Sequence, residues 1–193
     1  MRLRVRNLHA CPEPLWSPHA QAMLTGVPRE LRCWLLDRAS LTHRVRQACP
    51  GRFQVELVSQ GFVPPMRNER RALRMRPAVR ALVREVRLVC DGRPWVFART
   101  VIPNRTLHGA QRQLGRLGTR PLGAVLFADR SMRRGEVQLA RIRPGERMFD
   151  AAVGCRPQRP DAIWGRRSTF HVGGKPLLVT EVFLPDVGGC PRF

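Results

Sequence analysis

Residues 81–102 read ALVREVRLVCDGRPWVFARTVI. Two apolar runs flank Asp91-Gly92, a dipeptide that favours the positive φ angles of a two-residue β-hairpin turn. On that turn Leu88 faces Trp95, Val86 faces Phe97 and Leu82 faces Val101, which makes one continuous apolar face. The same face then carries Arg84 directly opposite Arg99. Side chains alternate with period two, so neither arginine can turn to water without breaking the pattern. Two like charges side by side on a core face are costly and need an anion, either a buried carboxylate or an anionic ligand. Arginine suits both, because its planar fork gives a carboxylate two parallel hydrogen bonds.

The strand at 177–184, LLVTEVFL, offers the partner. Glu181 shares a face with Leu177, Val179 and Phe183 and is the one acid in an apolar run. A carboxylate so placed is paired or protonated. Glu181 with Arg84 and Arg99 could be a buried ion pair with no ligand, or the wall of an anion pocket. The surplus positive charge favours the pocket. Arg166 and Arg167 alternate on a strand, so one of them is expected to face solvent. Ser168, Thr180 and His171 form no recognisable nucleophile arrangement.

Around these strands the chain is punctuated by 17 prolines and 16 glycines, which excludes long helices. Residues 1–27 read as an N-terminal arm. Residues 28–38 and 41–48 read as two short helices joined by a tight turn, with Ser40 as N-cap of the second. Strands are expected at 53–63, 81–90, 95–102, 136–142, 164–171 and 177–184, the last two flanking a Gly173-Gly174 turn. A helix is expected at 106–117 and a helix or strand at 121–127. Segments 64–77 and 143–162 read as loops, the latter exposed. The fold class is therefore α+β: a single domain with an antiparallel sheet and short helices packed on it.

The formal charge of +21 invites a nucleic-acid reading. However, 34 of the 35 basic residues are arginine, Lys175 is the lone lysine and tyrosine is absent. Arginine has GC-rich codons, lysine and tyrosine AT-rich ones, so a GC-rich genome gives this skew without selection for nucleic acid. The arginines are spread along the chain, and 12 aromatics leave few stacking surfaces. No two of the six cysteines have CxxC spacing, and no signal-like or membrane-spanning run is present, so free thiols in a cytoplasmic protein are expected. The five histidines are isolated and suggest no metal site.

The blocks LVREVRLVCDGRPWVFARTVIP (82–103), LGTRPLGAVLF (117–127), WGRRSTF (164–170) and GKPLLVTEVFLP (174–185), with WLLDRASLTHR (34–44), resemble the chorismate pyruvate-lyase family of ubiquinone biosynthesis. They occur in the family's order and cover most of 34–185. The resemblance implies a domain over 28–193 with an enclosed internal ligand site, lidded by helical segments. It implies conversion of chorismate to 4-hydroxybenzoate and pyruvate without metal or organic cofactor. Arg84 is then expected to grip a substrate carboxylate and Glu181 to contact the ring hydroxyl and act in proton transfer. Leu122 and Leu41 are expected to line the site and offer backbone amides, and Arg99 to lie near it. Residues 143–162 stand as an insertion relative to short members. The expected partners are chorismate and 4-hydroxybenzoate, with the chain a monomer that neither inserts into a membrane nor binds nucleic acid. Two other readings are a non-catalytic sensor module for a small aromatic acid and a basic nucleic-acid-binding protein.

Overall fold

The computed structural model describes residues 11–23, 26–154 and 158–188. Its elements are, in chain order, β1 (Ser17–Pro18), α1 (His19–Met23), α2 (Arg32–Leu36), α3 (Leu41–Ala48), β2 (Phe53–Val63), α4 (Arg67–Ala72), β3 (Ala81–Cys90), β4 (Arg93–Pro103), α5 (Leu122–Ala128), β5 (Arg133–Arg134), β6 (Gln138–Ile142), α6 (Phe149–Val153), β7 (Ile163–Val172) and β8 (Lys175–Phe183). The strands join one antiparallel sheet in the order β1-β6-β7-β8-β4-β3-β2, with β5 also pairing β7. Short helices cover it, as expected of an α+β fold.

The β3–β4 hairpin departs from its expected register. Asp91 and Gly92 have φ of +47° and +73°, as the two-residue turn requires, and Cys90 pairs Arg93 and Val89 pairs Pro94. The next pair is Leu88 with Val96, so Trp95 is extruded as a β-bulge. Pro94 has no N–H to give the ladder, and within a central strand such a residue is accommodated at a bulge. Beyond it every β4 side chain changes face. Arg84 now pairs Thr100, and Arg99 pairs Glu85 on the opposite side of the sheet.

Arg99 is therefore not beside Arg84. Its Nε and Nη2 donate to both oxygens of Glu69 at 2.7 and 3.1 Å, and its Nη1 donates to Glu85 at 2.7 Å. Burial alone would lower its pKa; the two carboxylates outweigh that and raise it. Glu69, 1% exposed, also accepts the Met66 N–H at 2.8 Å and so caps α4. That cap explains a helix where a loop was expected.

Both faces of the sheet are covered. On one, Trp34, Leu35, Leu41 and Val45 of α2 and α3 pack on Leu88, Val96, Trp164 and Phe183. Beside them Leu114, Leu117, Leu122 and Leu126 pack on Leu82, Ile102, Phe170 and Leu177. On the other, Met148, Phe149, Ala152 and Val153 pack on Phe97, Ile142 and Val182. Segment 143–162 is thus not simply an exposed loop: its α6 is core. The helix expected at 106–117 is instead 3-10 over Gly109–Arg116. The two covers also bury both Arg166 and Arg167, at 1% and 7% exposure, against the expectation that one faces solvent. Arg167 points to the second face, where its guanidinium lies 4.8 Å from the Trp16 ring and bonds Gln138 and Asn68. Burial pushes its pKa down to about 10.

Cys49, after α3, is disulfide-bonded to Cys90, at the end of β3, which corrects the expectation of free thiols there; Cys11 is free. The bond spans 41 residues and by loop entropy stabilises the fold by up to about 4 kcal/mol. Replacing both Cys49 and Cys90 by serine should lower the unfolding free energy by about 2–4 kcal/mol in urea melts. Cys33 is disulfide-bonded as well, so reductant should cost the unsubstituted protein at least that much; an unchanged midpoint in the double-serine variant would mean that the Cys49–Cys90 bond contributes nothing.

Candidate active site

The sheet face under α3 and α5 is built as transverse rows. Leu88, Val96, Phe183 and Trp164 form an apolar row. The next row is Val86, Ala98, Glu181 and Arg166, and the one after it Arg84, Thr100, Val179 and Ser168. Leu82, Ile102, Leu177 and Phe170 close the floor. The bulge at Trp95 is what puts the small Ala98 and Thr100 in the middle rows and sends Phe97 and Arg99 below. Space is left above them.

A pocket occupies that space. Its roof is Ala39, Ser40, Leu41 and Thr42 on one side and Pro121, Leu122, Gly123 and Phe127 on the other. The two roof segments touch at Gly123, where a Cβ would lie 2.8 Å from Ser40 Oγ, so a glycine permits the approach. Leu41 and Leu122 are each the first residue of a helix, α3 and α5. First-turn N–H groups have no acceptor within the helix, which leaves these two for a ligand.

The ionisable groups lining the pocket are Arg84, Arg134, Arg166 and Glu181, a surplus of two positive charges. Arg84, 2% exposed, bonds only backbone: Nε and Nη2 reach Gly118 O at 3.1 and 2.7 Å, and Nη2 reaches Arg120 O at 2.9 Å. Its Nη1 meets no acceptor among the described residues. Burial lowers its pKa, with no carboxylate to offset it. Arg166 donates Nε to Glu181 Oε2 at 2.6 Å and Nη1 to Trp34 O and Asp37 O at 2.7 and 2.6 Å. Oε1 of Glu181 is left for a ligand.

A cation row and a carboxylate row under an amide-bearing roof make a site for a small anion that also offers a hydrogen-bond donor to Glu181. Of the residues singled out from sequence, Arg84, Glu181, Leu41 and Leu122 line this pocket and Arg99 does not. Arg166 and Arg134 were missed. The signal for Arg166 lay in the β7–β8 turn: counting outward from Gly173-Gly174 sets Arg166 opposite Glu181, as observed. Arg134 lies on a two-residue strand with no periodicity to read.

The sequence model for chorismate lyase matches residues 12–188. This chain belongs to the chorismate lyase family. A protein named a "probable chorismate pyruvate-lyase" in Methylococcus capsulatus is 43% identical over 162 residues, 84% of this chain and 99% of the relative. One of the same name in Azoarcus sp. is 44% identical over 167 residues, 84% and 88% of the two chains. Among solved structures, the effector domain of PhnF from Mycobacterium smegmatis aligns with a TM-score of 0.55 at 15% identity, covering 77% of this chain and 90% of that one. The ligand-binding domain of a GntR-family regulator from Bordetella bronchiseptica gives 0.52 at 16% identity, covering 74% and 91%. These two establish a shared fold. The family match starts at residue 12, inside the stretch read as an arm, where Ser17 and Pro18 pair with Leu139 and Gln138 of β6.

The roof of this chorismate lyase family member is pinned by Asp37, whose carboxylate meets Arg44 at 2.8 Å. Burial pushes the Asp37 carboxyl up, but the Arg44 bond, the Ala39 N–H and the charges of Arg44 and Arg166 outweigh it and lower the pKa. A depressed carboxyl stabilises the fold above its unfolded pKa, here 3.8, and loses that contribution as pH falls through the folded value. Asp37→Asn should therefore cost about 1 kcal/mol near pH 7, with the gap to the unsubstituted protein closing in urea melts below pH 3.8. Equal melts at pH 7 would remove Asp37 from this role.

Proposed function

We infer that this chain is a chorismate pyruvate-lyase, converting chorismate to 4-hydroxybenzoate and pyruvate. The observation that carries the reading is the pairing, in one pocket of a family member, of an acid-free buried cation, Arg84, with a carboxylate, Glu181, fixed by Arg166. Adjacent strands lie about 4.8 Å apart and two residues span about 6.8 Å. Glu181 lies two strands and one row from Arg84, so their Cα atoms are roughly 12 Å apart. That separation suits a six-membered ring carrying a carboxylate at one end and a hydroxyl at the other.

The ring carboxylate meets Nη1 of Arg84 and the N–H groups of Leu41 and Leu122. The C4 hydroxyl donates to the free oxygen of Glu181. In the elimination the C3–O ether bond breaks, its electron pair leaves with the enolpyruvate oxygen, and the C4 proton departs as the ring becomes aromatic. Glu181 is the acceptor nearest C4 and takes or orients that proton. The enolpyruvate gains a proton at its methylene carbon to become pyruvate. Aromatisation supplies the driving force; the pocket supplies orientation and excludes water.

We place this step in ubiquinone biosynthesis and in the cytoplasm, with the protein a monomer and no metal or organic cofactor required. Among the described residues no helix is long and apolar enough to cross a membrane. A reducing cytoplasm would hold Cys49 and Cys90 as thiols, and the reductant melts read what the fold then loses.

Chorismate mixed with the protein should yield equimolar 4-hydroxybenzoate and pyruvate. Glu181→Ala and Arg84→Ala should each lower kcat/KM by at least about 100-fold while the fold is kept. Arg84→Ala should also weaken 4-hydroxybenzoate binding. Binding of 4-hydroxybenzoate without turnover would make the chain a ligand-binding module instead, and neither turnover nor binding would overturn the reading.

A further inference from the structure

Arg99 was the second cation expected to meet the substrate, and the bulge removes it. A pocket for a dianion still needs one. We propose that Arg134 grips the second carboxylate of the substrate, the one on the departing enolpyruvyl group, so that it recognises the substrate and not the ring product. This rests on the lyase reading.

Three observations converge on Arg134. It lines the pocket from β5, on the side of Glu181 away from Arg84. It is a cation with no carboxylate bonded to it: Nε donates to Ser168 Oγ at 3.1 Å and Nη1 to Asp37 O and Arg38 O at 3.3 and 3.0 Å. Nη2 meets no acceptor among the described residues. Its plane is set by Phe170, whose ring centre lies 5.3 Å from the guanidinium carbon. The guanidinium is thus held and aimed, with a nitrogen to spare.

The groups around it leave it short of negative charge. Arg166 repels it, and Arg38 repels it further; Glu181 and Asp37 attract it. Each of those acids is already engaged, by Arg166 and Arg44 respectively. Arg166 itself is a poorer candidate, since its charge is met by Glu181 at 2.6 Å. The geometry of the substrate agrees. Its ether carbon C3 adjoins C4, so when Glu181 holds the C4 hydroxyl and Arg84 the ring carboxylate, the side chain lies at the Glu181 end. That end is where Arg134 stands. The three lining arginines and one glutamate sum to +2, matching a dianion. The product, with one carboxylate, leaves Arg134 unmatched.

The test is a split between substrate and product. Arg134→Ala should raise the KM for chorismate about 10- to 100-fold, with the Kd for 4-hydroxybenzoate by calorimetry changed less than about threefold. Arg84→Ala should raise both. Arg134→Lys, which keeps the charge but not the fork, should recover part of the KM. An unchanged KM overturns the proposal. So does a product Kd that rises in step with KM, since Arg134 would then serve only to hold the Asp37–Arg38 turn. Arg134→Gln, which can still bond Ser168, takes the place of the alanine variant if that fails to fold. Where the unsubstituted protein binds chorismate without turnover, the lyase reading falls, but the same contrast is read from the two Kd values.

Discussion

One residue too many in β4 decides what this sheet face can do. Without the bulge at Trp95, Phe97 would stand beside Val86 and Arg99 beside Arg84, with two uncompensated cations and no space between them. With it, Ala98 and Thr100 occupy the middle rows and leave room for a ring, while Arg99 goes to the far face and finds Glu69 and Glu85. The cost is one strand position with no partner on β3, placed where Pro94 already denies the ladder a donor. Site and support thus come from one local irregularity: the far-face ion pairs hold α4 in place, and the near face is left open.

The roof depends on arginine in a different way. Helix α2 ends with carbonyls that no further turn can satisfy. Arg166 collects those of Trp34 and Asp37, Arg134 those of Asp37 and Arg38, and Arg44 that of Cys33. Across the pocket, Arg84 collects Gly118 and Arg120 ahead of α5. A guanidinium has five N–H groups in a fixed fork, so it can latch a carbonyl and still present a nitrogen to the pocket. Lysine, with a compact charge and no fork, fits this double use poorly. The GC-rich codon skew explains why arginine is abundant in the chain as a whole; it does not explain why Arg84 and Arg166 are buried or why all four hold these carbonyls.

What the sequence reveals and what it hides divide along physical lines. The second hairpin is legible because Gly173-Gly174 closes it and no bulge follows, even at Pro176, so its register runs true from Val172–Lys175 to Trp164–Phe183. The first hairpin is legible in its turn and its strands but not in its phase, since a bulge changes every later pair without changing composition. Pro94 alone does not announce it, since Pro176 at the matching place of the second hairpin leaves that register unbroken. Glu181 stands out because an acid in an apolar run has few explanations. Arg166 did not, because period-two reasoning assumed one wet face, and the burial of both faces depends on α6 and on residues 11–18, which no local pattern announces. Arg134 sits on a strand of two residues, too short for any periodicity, and only tertiary structure brings it to Ser168.

If Arg84 and Arg134 hold the two carboxylates as proposed, the latch residues and the charge balance together tie the closed roof to its ligand. With the roof shut over an empty pocket, two uncompensated positive charges sit in a medium of low dielectric, and that opposes closure. A dianion removes the opposition without displacing a latch, because Arg84 and Arg134 each keep their carbonyls and use the spare nitrogen. A ligand favours the closed form only by the extra free energy it gains there, and here that gain scales with its charge. Once the enolpyruvyl group has left the pocket, its carboxylate leaves with it, and one positive charge is again unmatched while the ring product is still in place.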